Sequence, residues 1–106
     1  MEKNETSKQL TFHDAGAFKT LLGGEDRNLR LIEKLEPVRI TARGDRITLA
    51  GEPGSVDLVE TLLGQLYQLI QKGFPVYSTD VGFAHRILSE SRSVRLEEIF
   101  LDKVYI

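Results

Sequence analysis

With 106 residues, 41% of them hydrophobic and 28% charged, the chain has the composition of one globular domain with at most a short tail. It contains no cysteine, which excludes disulfides, thiolate metal sites and cysteine nucleophiles, and a formal net charge of -2 argues against a surface that is basic all round. The polar start has no apolar segment of the exported kind, and no apolar run approaches the roughly 18 residues of a membrane span, so a cytoplasmic protein with no membrane partner is the expectation.

Lys8 to His13 alternates, with Leu10 and Phe12 on one side, and reads as a half-buried strand. Asp14 is placed to cap a helix whose apolar positions are Ala15, Phe18, Leu21 and Leu22 and which Gly23-Gly24 stops. Leu29, Ile32 and Leu35 mark a second helix, closed at Glu36 because the residue before Pro37 is pushed out of the helical region. From Val38 the period becomes two. Val38, Ile40 and Ala42, then Ile47 and Leu49, alternate with polar residues around Gly44-Asp45, and a two-residue turn there pairs Ala42 with Ile47 and Ile40 with Leu49. Pro53 opens a helix of about 20 residues whose stripe is Val56, Val59, Leu62, Leu63, Leu66 and Ile70, with Leu58 and Leu69 beside it. Ser78-Thr79-Asp80 caps a shorter helix carrying Val81, Ala84, Ile87 and Leu88. The end at Val104-Tyr105-Ile106 has no closing signal and reads as a strand cut short, which suggests a fragment.

Catalysis has little support in these residues. Lys19-Thr20 lacks the glycines of a phosphate-binding loop, so nucleotide binding is not expected, and His13 and His85 have no acidic or imidazole neighbour at metal-ligand spacing. Ser78, Ser89, Ser91 and Ser93 fall in caps and loops. Arg43-Gly44-Asp45 matches an adhesion tripeptide, but a turn between two strands accounts for it. No catalytic residue, cofactor or metal is assigned to the chain.

Charge is uneven. Between Arg27 and Arg46 six bases face three acids. The strand-helix-helix-strand-strand-helix order, with a glycine loop between its first two helices, resembles the type I KH fold, an α+β arrangement (βααββα) whose three-stranded sheet has helices on one face. There a glycine loop lets the backbone of a single nucleic-acid strand approach. The loop departs from the GxxG pattern: Gly24-Glu25-Asp26-Arg27 has its first glycine, an arginine where the second belongs, and two acids that repel phosphate. Arg27, Arg30 and Lys34 fall toward one side of the second helix, where they serve either as phosphate contacts or as ordinary solvated charges. The expected division is a disordered tail at 1–7, a KH-like domain at 8–73, and a helical extension and linker at 74–106.

The runs Leu-Leu-Gly-Gly-Glu-Asp-Arg-Asn-Leu-Arg-Leu-Ile-Glu-Lys (21–34), Val-Arg-Ile-Thr-Ala-Arg-Gly-Asp (38–45), Ile-Thr-Leu-Ala-Gly-Glu-Pro (47–53) and Tyr-Gln-Leu-Ile-Gln-Lys-Gly-Phe-Pro (67–75) resemble the N-terminal region of bacterial PhoH-like ATPases. In that family a KH-like module precedes a P-loop ATPase domain linked to phosphate starvation and RNA metabolism. The resemblance implies that ATP and magnesium belong to an ATPase domain absent from this chain, and that partners include that domain and an endoribonuclease. The expected role is to bind or position single-stranded RNA through Gly24, Arg27, Arg30, Lys34, Arg39, Arg43 and Arg46. A module for homo-oligomerisation or protein docking, using the extra leucines of the long helix, is the alternative.

Overall fold

Strand pairing starts at a two-residue turn. In the computed structural model, which describes residues 5–104 and side chains to residue 101, Gly44 has φ +62°, and Asp45 completes a turn with positive φ at its first central position only. It joins β2 (Val38–Arg43) to β3 (Arg46–Gly51) in the register read from the sequence: Arg43 opposite Arg46, Ala42 opposite Ile47, Thr41 opposite Thr48 and Ile40 opposite Leu49. β1 (Thr6–Thr11) pairs antiparallel with the far side of β3, giving a three-stranded sheet in the order β1-β3-β2.

Alternation then divides the sheet. Val38, Ile40, Ile47 and Leu49 are buried on one face, under α2 (Arg27–Leu35) and α3 (Pro53–Gln71), with α1 (Ala15–Leu22) packed against both helices. The other face is covered by no described element, so the mixed α+β architecture with helices on one side of the sheet is observed as expected. α4 (Ser78–Glu90) packs against α2 and α3, and α5 (Leu96–Val104) against α3. No described helix is long and apolar enough to cross a membrane.

Three details differ from the sequence reading. The first strand spans Thr6–Thr11, not Lys8–His13, because β3 offers six positions and Thr6 pairs with Gly51 at their end. Phe12 lies past the strand, its N–H donating to the Asp45 carbonyl at 2.9 Å, while its ring stacks on Phe18 (5.1 Å between centroids) and meets Tyr67 edge-on. Lys8, an inward position at the sheet rim, gave no apolar signal because it reaches Glu60 (2.6 Å) and Asp57 (3.4 Å) on α3; the Glu60 hydrogen bond raises its pKa above the ordinary lysine value.

The second difference is at the C-terminus, where Val104 belongs to helix α5 rather than to a strand; Tyr105 and Ile106 lie outside the described residues. Gln65 of α3 holds the start of this helix with both ends of its amide, donating to the Val94 carbonyl (2.9 Å) and accepting from the Leu96 N–H (2.7 Å). Lys72 bonds Glu97 at 2.6 Å and lowers that carboxyl's pKa. The third concerns Leu58 and Leu69. Both are buried, in one core with Val81, Ala84, Leu88, Leu96 and Phe100, so they present no apolar surface to a partner.

Where β3 ends, Gly51 allows the chain before β2 to close over it. A Cβ at that position would stand 2.6 Å from the Pro37 carbonyl oxygen, a backbone atom that cannot turn aside. Gly51→Ala is therefore expected to cost about 1–3 kcal/mol of stability on urea titration, through displacement of the β2 entry.

Candidate nucleic-acid interface

Asn28 organises the loop between α1 and α2. It is a buried polar residue on the first turn of α2, and both ends of its carboxamide are used: Nδ2 donates to the Leu21 carbonyl (3.0 Å) and Oδ1 accepts from the Ser78 hydroxyl (3.1 Å). One side chain thus ties the end of α1 to the start of α4. Gly23, at φ +77°, passes so close that a Cβ there would lie 3.1 Å from Asn28 Nδ2. The loop glycine with the conformational demand is therefore Gly23. Gly24 does not have positive φ, while Glu25 and Asp26 both sit at φ +56°, a left-handed conformation costing non-glycine residues roughly 1–2 kcal/mol each.

The structure brings the predicted cations together in two groups. Arg27, Arg30 and Lys34 are exposed along α2. Arg30 pairs with Glu33, and the two side chains close the edge of β2: Arg30 Nη2 donates to the Ile40 carbonyl (3.3 Å), and the Ile40 N–H donates to Glu33 Oε2 (2.8 Å). An edge strand presents unpaired backbone groups, and here a charged pair satisfies them. Arg30 is thus engaged in the fold. Arg27 instead folds back over the loop, its Nη2 3.0 Å from where a Gly24 Cβ would be.

Arg39, Arg43 and Arg46 share the open face of the sheet with Ser7, Gln9, Thr11, Thr41, Thr48 and Ala50. None of these nine positions is a carboxylate. Arg39 bonds Glu5 at 3.1 Å beside the sheet, which raises its pKa above the ordinary value. Arg43 and Arg46 stand opposite each other beside the turn, around a shallow depression of about 370 Å³ lined also by Gln9, Gly44, Asp45 and Thr48. Among the described residues Arg27, Lys34, Arg43 and Arg46 have no ion-pair partner.

His85, for which the sequence offers no acidic neighbour at metal-ligand spacing, is mostly enclosed and meets an acid from a distant part of the chain. Its Nε2 lies 2.9 Å from Glu36 Oε1, joining α4 to the residue that ends α2. Asn28 is the residue that composition and spacing missed; a lone asparagine in a helical run carries no signal until its burial is known.

Relatives sharpen the reading. Over 85 residues, 80% of this chain, it is 29% identical to a PhoH-like protein of Bacillus subtilis (strain 168). The chain is a relative of the PhoH-like proteins. It also matches PhoH-like proteins of Mycobacterium leprae (34% identity over 56 residues, 53% of the chain) and Mycobacterium tuberculosis H37Rv (38% over 53 residues, 50% of the chain). It spans 27%, 16% and 15% of these three relatives' lengths, so it corresponds to a minor part of each PhoH-like protein. No protein-family model and no solved structure matches the chain.

Two stability measurements follow from this geometry. Asn28→Ala leaves the buried Leu21 carbonyl without its donor and is expected to cost about 1–3 kcal/mol, with Ser78→Ala costing less, on urea titration. Arg43→Thr removes a like-charge cross-strand pair worth a few tenths of a kcal/mol to about 1 kcal/mol. It is expected to leave stability unchanged or to raise it at low salt, with any gain shrinking as salt screens the pair; a salt-independent loss would refute the repulsion.

Proposed function

We propose that this chain is a KH-like accessory domain of a PhoH-like ATPase and that it holds single-stranded RNA through phosphate contacts, positioning it for the ATPase domain. The observation that carries the proposal is the Arg43–Arg46 pair: two cations facing each other across a hairpin, on a sheet face of nine residues without a carboxylate. Like charges so placed repel, and a phosphate between them turns the repulsion into attraction. The element order βααββα, with a three-stranded sheet covered by helices on one face, resembles the KH fold, which supports the same class of ligand.

In this reading Arg43 and Arg46 are the principal contacts, Arg39 extends the track along β2, and Arg27 and Lys34 supply the α2 side. Arg30 contributes through the fold, since it already serves Ile40 and Glu33. Glu25 and Asp26 keep phosphate away from the glycine loop itself. Phosphate contacts carry no sequence information, so binding is sequence-tolerant and steeply salt-dependent. ATP, magnesium, hydrolysis, and partnership with an endoribonuclease of RNA maturation are assigned to the rest of the PhoH-like protein, in the cytoplasm; this chain does no chemistry of its own. A leucine-mediated oligomerisation module is the weaker reading, because Leu58 and Leu69 are buried.

The test is a titration of labelled single-stranded RNA at low salt against the wild type and the Arg43→Gln/Arg46→Gln double variant. Each phosphate contact on a single strand adds roughly 0.7 to the slope of log affinity against log salt, so the double variant should bind more weakly, with a slope lower by about 1.4. Equal affinity and equal slope would overturn the assignment.

A further inference from the structure

The segment before α4 supplies an aromatic ring that the basic surface lacks. Tyr77 is 66% exposed, against 39% for Leu35 and 38% for Leu101, the other large hydrophobic side chains exposed among the described residues. Its backbone is nevertheless tied down. The Tyr77 N–H donates to Asp80 Oδ2 (2.8 Å), and its carbonyl accepts from the N–H groups of Asp80 (2.9 Å) and Val81 (3.2 Å). The ring is therefore displayed to solvent from a fixed backbone, which lowers the entropy cost of any contact it makes.

Its position in the fold follows from one hydrogen bond. Ser78, the next residue, donates to Asn28, and the residue before Asn28 is Arg27. The Asn28–Ser78 contact thus brings the backbone of Tyr77, one residue before Ser78, to the end of α2 at which Arg27 precedes Asn28. Glu25 and Asp26 disfavour a phosphate on the loop itself, so a ligand held at this end of the domain must be held by a group that carries no such charge. A nucleobase is such a group: it stacks on an aromatic face and on a guanidinium plane alike. A single exposed ring also lacks the contiguous apolar area that a protein partner would need.

We propose that Tyr77 is a stacking platform for one base of a single-stranded RNA whose backbone is held by the arginines. The inference rests on the RNA reading above and adds to it a contact that depends on the base rather than on the phosphate.

Fluorescence anisotropy with a labelled oligoadenylate of about 12 nucleotides, and with an abasic oligomer of the same length, separates the two contacts. Tyr77→Ala is expected to weaken oligoadenylate binding about five- to tenfold, and Tyr77→Phe by less than about twofold, with the salt slope unchanged in both. The abasic oligomer should bind wild type and Tyr77→Ala equally. Matching thermal melts establish that the variants are folded, which the exposure of the ring leads one to expect. If Tyr77→Ala binds oligoadenylate like the wild type while Arg43→Gln/Arg46→Gln binds more weakly, the stacking role is overturned and the RNA reading stands. If Tyr77→Ala weakens the abasic oligomer equally or changes the salt slope, stacking is likewise overturned. If the wild type binds neither oligomer at low salt, both fall together.

Discussion

A turn of two residues decides which half of the hairpin meets the core. With Gly44 in the left-handed region and only Asp45 beside it, β2 and β3 have one register, and Ile40, Leu49 and Ile47 are carried to the helices while Arg39, Arg43 and Arg46 are carried to water. A slip of one residue would reverse every side chain and bury three guanidinium groups, at a cost far above the stability of a domain of this size. The open basic face is therefore a by-product of the same register that builds the core. Neither can be changed without the other.

The helical layer is fixed by polar contacts as well as by apolar burial. Asn28 joins the end of α1 to the start of α4, Glu36 meets His85, and Gln65 holds both sides of the entry to α5. Each of these uses a short-range, directional bond to set the angle of a helix that apolar packing alone would leave free to slide. The Arg30–Glu33 pair does a comparable service for the sheet by satisfying the Ile40 backbone on the free edge of β2. That engagement separates structural charges from available ones within a stretch whose excess of bases gives no hint of the division in the sequence.

For a relative of the PhoH-like proteins that spans a minor part of their length, the division of labour is informative. Of the six basic residues between Arg27 and Arg46, those without an ion-pair partner are Arg43 and Arg46 on the sheet face and Arg27 and Lys34 on the exposed side of α2. The acids of the loop stand where a KH-like module would approach phosphate. In the proposed mode of binding, a single strand is held from the sheet, with the Tyr77 ring contributing one stacking contact. This differs from simple reuse of a glycine loop.

The sequence by itself determined the element order from the first strand to the helix at 78–90, the hairpin register, the inward and outward sets of β2 and β3, and the helical character of residues 53–71, because each rests on interactions between near neighbours whose period is written in the chain. It also contained the phrases that lead to the PhoH-like proteins. Tertiary structure alone decided the rest. That β1 begins at Thr6 depends on the length of β3. That Leu58 and Leu69 are covered depends on α4 and α5 folding back onto α3. That Asn28 is a bracket depends on Ser78, fifty residues away, and the same contact brings Tyr77 beside the basic helix. Such contacts have no sequence period, since they arise where elements meet in space, and only the packed chain shows which cations are engaged in the fold and which aromatic is left exposed.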